Sequence, residues 1–432
     1  GLGHATRYGG QRWPMRIAFL SSRDAAGQRF NGLGLHRALL AAGHASDFVV
    51  AARALAEPRV HDLGPRWLRR ANQLAQRLEA RLSRQSDLAI QGHAFARAPG
   101  VRDAELIHLQ LLHEWSFFSL RHLPRLADGR RPVVWTLHDP WIMTGHCVHP
   151  LDCERWRSGC GQCPDLGRSL AIRRDRTAAN WAFKRAMLAR SRLHLVVASD
   201  WMAQRVAQSP ILAGLPCTCI PFGIDTAVFA PRPKAEVRAR LGIPADARVV
   251  GVRWRSGYAL KGTALAEAAL LRLPAGRVTD VIAFDTAGGA ETAVLRERYR
   301  VTTIDTFDDP VAIATGLAAC DVFLMPSAAE TFGLMAVEAM ACGAPPVVFA
   351  GTALCELIDP PHGGLAVAPG NAAALAGALE HLMLDDAARA ACREHGLAHV
   401  RARYAEARYV ADHLALYRAL LEDPAPAARA GS

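Results

Sequence analysis

VFLMPSAAETFGLMAVEAMACG (Val322–Gly343) begins with four apolar residues suited to a buried strand, turns at Pro326-Ser327 and continues as a helix. The helix is expected to start near Thr331–Gly333 and to stop at Cys342, with Gly343 as its C-cap. Two carboxylates interrupt this apolar stretch, Glu330 at the strand-to-helix mouth and Glu338 inside the helix. A helix N-terminus offers free backbone N–H groups to an anion or a hydroxyl. Carboxylates at that mouth repel phosphate, so their natural partners are the vicinal hydroxyls of a sugar and a ribose. A nucleotide sugar combines both with a diphosphate. On spacing alone, Glu330 as a helix cap and Glu338 as a solvated helix position fit equally well.

Outward from this segment, short apolar runs alternate with amphipathic helical stretches along nearly the whole chain. Strands are expected at Arg16–Leu20, Phe48–Val50, Leu106–Leu109, Pro132–His138 and Leu193–Ser199, and then at Ala247–Val252, Asp280–Phe284, Val322–Met325 and Pro346–Ala350. Each half therefore reads as α/β, a doubly wound parallel sheet with Rossmann-like topology. Such sheets bind ligands beyond the carboxyl ends of their strands, so two of them face a central cleft. The expected division is a first domain over 15–222 with a Cys-rich insert at 145–164, a second over 223–404, and a final helix over 405–422 packing back towards the first. Residues before Met15 are set aside as an upstream extension, and the Ala/Pro-rich tail after Asp423 is expected to be disordered.

Composition narrows the function classes. With 432 residues, 51% hydrophobic, the chain can bury two cores, and no apolar run is long enough for a membrane span. The net charge of +11 is lopsided: 31 basic against 17 acidic residues over 1–225, but 20 against 23 over 226–432. A basic first half favours an anionic partner, whether phospholipid, lipid-linked pyrophosphate or nucleic acid. Nucleic acid is set aside, because no zinc-finger spacing, RNA-binding aromatic signature or helix-turn-helix pattern stands out. With no export signal visible, the protein is expected to be cytoplasmic, peripheral on the inner face of the membrane.

The stretch around Glu330 and Glu338 resembles the E-x7-E signature of retaining GT-B glycosyltransferases, in particular glycosyltransferase family 4 and its exopolysaccharide-type members. IPFGIDTAVFAP (Ile220–Pro231) resembles that family's inter-domain segment, with Phe222 where Asn is common, and DVFLMPS (Asp321–Ser327), AMACGAP (Ala339–Pro345) and GGLAVAPG (Gly363–Gly370) follow in the family's order. The resemblance implies that Glu330 contacts donor-sugar hydroxyls and Glu338 the ribose, with backbone N–H groups from Phe332, Gly333 and Leu334. It also implies a cationic clamp on the diphosphate from GVRWRSGYALKG (Gly251–Gly262), drawn from Arg253, Arg255 and Lys261, with Arg255 slightly preferred over Arg253. Two cations neutralise a leaving diphosphate without a metal, so no cofactor is required beyond the UDP- or GDP-sugar donor.

In the first half, Gly32 and Gly34 of RFNGLGLH (Arg29–His36) follow strand one, where the family brings backbone close to donor phosphate and acceptor; a plain turn fits nearly as well. His138 and Asp139 end the strand PVVWTLHD (Pro132–Asp139), at the edge that faces the cleft, and the resemblance implies that they lie near the acceptor and the reacting carbon, with His capping the next turn as the structural alternative. SDWM (Ser199–Met202) resembles the family's S-x-W/F-x segment that opens a helix towards the cleft, which implies Ser199 as a further candidate. Cys147, Cys153, Cys160 and Cys163 lie within seventeen residues and suit a closed, structural Zn2+ site or a set of packing thiols. Arg66–Arg84 puts Trp67, Ala71, Leu74, Leu78 and Leu82 on one helix face among arginines, suited either to an anionic membrane or to its own domain. The expected activity is hexosyl transfer to a glycan or lipid-linked oligosaccharide in surface polysaccharide synthesis. A nucleotide-sugar epimerase of the same fold and a non-catalytic nucleotide-sugar-binding descendant are the alternatives.

Overall fold

The structure, a computed structural model, describes residues 14–25, 29–255, 259–284, 292–305 and 309–422. Residues 1–13 of the expected upstream extension and the tail from 423 lie outside the described residues, as do 256–258 between the candidate cations.

Among the described residues, thirteen strands form two all-parallel sheets. The first contains β1 (Arg16–Arg23), β2 (Ala45–Ala52), β3 (Val60–Asp62), β4 (Leu106–Leu109), β5 (Val133–Thr136), β6 (His194–Val197) and β7 (Cys217–Cys219), in the order β3-β2-β1-β4-β5-β6-β7. The second contains β8 (Val249–Arg253), β9 (Asp280–Phe284), β10 (Arg300–Ile304), β11 (Val322–Met325), β12 (Pro346–Phe349) and β13 (Leu365–Val367), in the order β10-β9-β8-β11-β12-β13. In each the order reverses beside the first strand, β1 next to β4 and β8 next to β11, and helices cover both faces. This is the doubly wound pattern, and its switch points open at the carboxyl ends of β1, β4, β5, β8 and β11. Central strands are buried on both faces, which is why they read as unbroken apolar runs.

Helix Leu334–Cys342 runs through the second core, and every residue from Met335 to Cys342 is buried. Gly333 precedes it with φ +116°, where a Cβ would stand 2.4 Å from Leu354 Cδ2, so only glycine allows the loop to enter the helix here. The last helix, Glu406–Glu422, packs on the first sheet: Tyr417 is buried among Ile17, Phe19 and Leu33. It reaches there past Gly223, whose missing Cβ would lie 2.6 Å from Glu406 Cα, and Ile224 pairs with Ala405 in an isolated parallel bridge.

Helix Arg66–Leu82 is inside out. Its buried residues are Asn72 and Glu79, while Trp67, Leu74, Leu78 and Leu82 are 68%, 65%, 48% and 42% exposed. Polar groups hold it to the domain: Asn72 Oδ1 accepts from the Ile90 and Gln91 amides, and Glu79 Oε1 from those of Asp87 and Leu88. None of the helices among the described residues is long and apolar enough to cross a membrane.

Candidate active site

Loops from the carboxyl ends of β1, β4, β5, β8 and β11 enclose a cavity of about 510 Å³ between the two halves. Both sheets contribute to its wall, which includes Arg29, His113, His138, Asp139, His149, Arg253, Lys261 and Glu330 through Met335. A larger cavity of about 860 Å³ beside Glu105, Arg131 and Pro132 opens at the amino ends of β4 and β5, the edge that ligands of such sheets do not use.

Gly262 sets the cationic wall. At φ +72° its Cβ would come within 2.0 Å of Pro326 O, so glycine alone lets this loop press on the loop after β11, where Ala328 N–H also bonds Leu260 O at 2.9 Å. Lys261 Nζ is thereby brought 2.7 Å from Glu330 Oε1, and Arg253, the last residue of β8, places Nη1 at 3.5 Å from the same oxygen. Burial alone would raise the Glu330 carboxyl, but Lys261 and Arg253 outweigh it and hold the group below the usual glutamate range. Arg255 is exposed and absent from the cavity wall; its backbone N–H and C=O exchange hydrogen bonds with Thr263 Oγ1. Of the two arginines considered, geometry puts Arg253 rather than the preferred Arg255 at the cavity, because β8 ends with Arg253 beside β11.

Glu338 is fully buried, one turn below the helix mouth, and burial raises its carboxyl despite the nearby guanidinium of Arg29. Arg29, on the loop after β1, donates to Glu338 Oε1 and so joins the two halves, while Glu338 Oε2 is buried with no partner among the described residues. Phe332, Gly333 and Leu334 line the cavity at the start of the helix. Gly32 and Gly34 do not. Gly32 takes φ +93° as the residue before helix Leu33–Ala41, where a Cβ would meet the Gln110 side chain at 3.0 Å, and Gly34 lies within that helix.

His138 lies between both halves, stacked on Phe222 at 5.6 Å and 9°, and Phe222 in turn meets Phe332 edge-on at 5.2 Å. Thr331 Oγ1 donates to His138 O at 2.6 Å, and Ser199 Oγ to Thr331 O at 2.6 Å, so the loop carrying Glu330 is tied to the other half twice. Ser199 also caps helix Asp200–Gln208 by accepting from Met202 N–H and does not line the cavity. Burial lowers the His138 imidazole to about 4, against the pull of Asp139, so the ring is neutral at pH 7. Its tautomer follows from a buried chain of hydrogen bonds. His138 Nε2 donates to Gln110 Oε1 at 2.8 Å, Gln110 Nε2 donates to His108 Nε2 at 3.1 Å, and His108 Nδ1 bonds Tyr417 OH at 2.6 Å. Nδ1 of His138 is left as an acceptor, buried and unpartnered among the described residues. Asp139, not His138, caps the next turn, accepting from Trp141 N–H at 2.9 Å, and it pairs with His113 Nε2 at 3.3 Å.

The four clustered cysteines are free thiols, and all line one cavity of about 20 Å³ together with His146. Their sulfurs do not converge: among the described residues, the only three His, Cys, Asp or Glu ligand atoms within 4.8 Å of one another belong to Asp359, His395 and His399. Cys160 Sγ instead accepts from Gly145 N–H at 3.2 Å, and Cys163 Sγ lies 3.4 Å from His146 Nε2. The four thiols expected to hold zinc thus surround one small cavity, with no three of their ligand atoms within 4.8 Å of one another. What this segment does bring to the cleft is His149, whose imidazole burial lowers even though Asp139 and Glu330 lie near. Gln110 and His113 carried no motif in the sequence, and Arg29 entered only as the first residue of the glycine-rich loop RFNGLGLH; all three lie in loops that follow the carboxyl end of a strand, which is the one signal common to them.

The architecture is the GT-B fold of glycosyltransferases, two parallel-sheet Rossmann-like domains about a cleft. The profile of the family described as Glycosyl transferases group 1 matches residues 301–399, which hold Glu330 and Glu338. Among solved structures, sucrose-phosphate synthase from Thermosynechococcus elongatus superposes with a TM-score of 0.67 at 20% identity, covering 94% of this chain and 99% of that one. HepE from Anabaena, in complex with UDP and glucose, gives 0.65 at 19%, covering 94% and 100%. By sequence, the D-inositol 3-phosphate glycosyltransferase of Stackebrandtia nassauensis is 34% identical over 214 residues, 46% of this chain and 48% of that protein. The Mycobacterium bovis protein of the same name is 26% identical over 309 residues, 69% and 59% of the two chains. The match thus spans only about half of these curated relatives' length.

Proposed function

We propose that this chain is a retaining glycosyltransferase of family 4 that moves a hexosyl group from a UDP- or GDP-sugar to a glycan or lipid-linked acceptor in surface polysaccharide synthesis. The observation that carries this reading is the convergence of Lys261 and Arg253 on Glu330 at the mouth of helix Leu334–Cys342, facing the neutral imidazole of His138. The donor diphosphate lies on the two cations and the first N–H groups of that helix, which stabilise the charge that develops as the sugar leaves. Glu330, ionised, accepts from donor-sugar hydroxyls, and Glu338 Oε2 accepts from the ribose. His138 Nδ1 accepts from a sugar hydroxyl beside the reacting carbon, with Asp139 and His113 holding the neighbouring wall. The names of the relatives support a nucleotide-sugar donor, HepE through its complexes with UDP and UDP-glucose.

The inverted helix Arg66–Leu82 supports peripheral binding to an anionic membrane, since apolar side chains and arginines together face outward where a lipid-linked acceptor is carried. A structural zinc ion at Cys147, Cys153, Cys160 and Cys163 is part of the same reading, and metal analysis of the purified protein checks it. The test of the whole is nucleotide release from a panel of UDP- and GDP-sugars, with and without glycan acceptors, and the anomeric configuration of the product. Acceptor-dependent release with retention is expected; acceptor-independent conversion of the nucleotide sugar would assign an epimerase instead.

A further inference from the structure

Away from the cleft, three side chains converge where the end of helix Leu354–Ile358 meets helix Asp386–Arg403. His395 and His399 are one turn apart on the same face of the longer helix. Asp359 follows the shorter helix in the left-handed conformation at φ 48°, and its backbone is pinned by Asp359 N–H to Cys355 O at 3.2 Å and His362 N–H to Asp359 O at 2.9 Å. The carboxylate is thereby turned onto the histidine face, with Asp359 Oδ2 at 2.9 Å from His395 Nε2, and one ligand atom from each of the three residues lies within 4.8 Å of the others.

The decisive detail is His399. Its Nε2 is buried with no hydrogen-bond partner among the described residues. A metal-binding histidine offers the lone pair of one ring nitrogen to the ion, and a buried nitrogen that no protein group satisfies is suited to that role. The ring is further held edge-on by Tyr404 at 5.4 Å. A plain ion pair accounts for Asp359 and His395 alone; it gives no reason for the orphaned nitrogen of His399.

We propose that Asp359, His395 and His399 form a binding site for a borderline divalent cation, with Zn2+ as the best match. Two imidazole nitrogens and one carboxylate oxygen suit Zn2+, Co2+ or Ni2+ and not Mg2+ or Ca2+, which require oxygen shells. The side chains of His395 and Asp359 are 38% and 47% exposed, so the ion has a path from solvent and water completes its shell. Bound there, it ties helix Asp386–Arg403 to the segment that carries Glu356, whose carboxylate accepts from the Asp200 and Trp201 amides of the other domain at 2.8 Å.

The test is titration of the chelator-treated full-length chain with Co2+, read by absorption, and with Zn2+, read by calorimetry and thermal shift. One Co2+ per chain is expected to give bands without thiolate charge transfer, which separates this site from the clustered cysteines. Zn2+ is expected to raise Tm. His399→Ala and Asp359→Asn are each expected to weaken this binding at least tenfold, given that even outer partners of a metal site are worth about 10–100-fold. Melting of each variant without metal reports whether it is folded. A cobalt spectrum carrying thiolate bands only, no uptake at all, or unchanged affinity in either folded variant would overturn the assignment.

Discussion

Arg29 and Glu338 close an ion pair across the two halves of the molecule, 309 positions apart in the chain. Glu338 is fully buried and the Arg29 side chain is 16% exposed, and removing the arginine strands the buried charge of the glutamate. Arg29→Met is therefore expected to destabilise the protein by ~3 kcal/mol. Adding Glu338→Gln is expected to restore much of that loss, because a neutral amide needs no counter-ion. Urea unfolding of the singles and the double checks this, and a double variant no more stable than Arg29→Met would show that the two residues are not coupled.

The cations of the cleft are not equivalent. Lys261→Ala and Arg253→Ala are each expected to reduce kcat by about 10²–10³, the usual loss when a group stabilising developing charge is removed. Arg255→Ala, with its side chain outside the cavity, is expected to stay within a few-fold of the parent. Turnover of the three variants on one donor–acceptor pair decides between the arginines.

Two fully buried histidines, His108 and His413, and His138 in the cleft wall give stability a specific pH dependence. Burial lowers His138 and His413 to about 4 and His108 well below its ordinary value of 6.5. Their folded-state values lie below the unfolded one, so the stability tied to the neutral rings is fully present above pH 6.5 and is lost as pH falls from there towards 4. Each group that takes up a proton only on unfolding adds a slope of ~1.4 kcal/mol per pH unit within that window. Tm is expected to fall between pH 6.5 and 4, less steeply in His413→Leu; a flat profile down to pH 4.5 would contradict the burial of these rings.

The exposed face of helix Arg66–Leu82 is expected to bind vesicles containing anionic lipid and to lose them at high salt. Leu74→Glu with Leu78→Glu removes two apolar contacts worth ~1.5–3 kcal/mol each on full burial, which corresponds to at least a 100-fold weaker association. Co-sedimentation with and without anionic lipid measures it. Binding that is unaffected by the double substitution would return this helix to a purely structural role.

How much of this was legible in the sequence depended on burial. All nine expected strands are present, and all lie in the interior of a sheet, where two covered faces force a continuous apolar run. The four that went unread, β3, β7, β10 and β13, are the four sheet edges. Each is half-solvated, and β10, RVTTI, is polar enough to pass for a loop. In the cleft, Glu330, Glu338, Lys261 and His138 were singled out because each belongs to a local pattern at the end of a strand or the start of a helix. Gln110 and Arg29 act through partners 28 and 309 positions away, and no local pattern records such a pairing. The choice between Arg253 and Arg255 turned on where β8 stops, and a boundary of one or two residues is what periodicity resolves least well.

Calorimetric titration of UDP and GDP into the parent protein, Lys261→Ala and Glu338→Gln asks most directly whether a donor nucleotide occupies this helix mouth. One of the two nucleotides is expected to bind the parent, to bind Glu338→Gln at least tenfold more weakly, a loss of ~1.4 kcal/mol or more, and to bind Lys261→Ala more weakly still. Equal affinity for the parent and both variants, or no binding of either nucleotide to any of them, would contradict it.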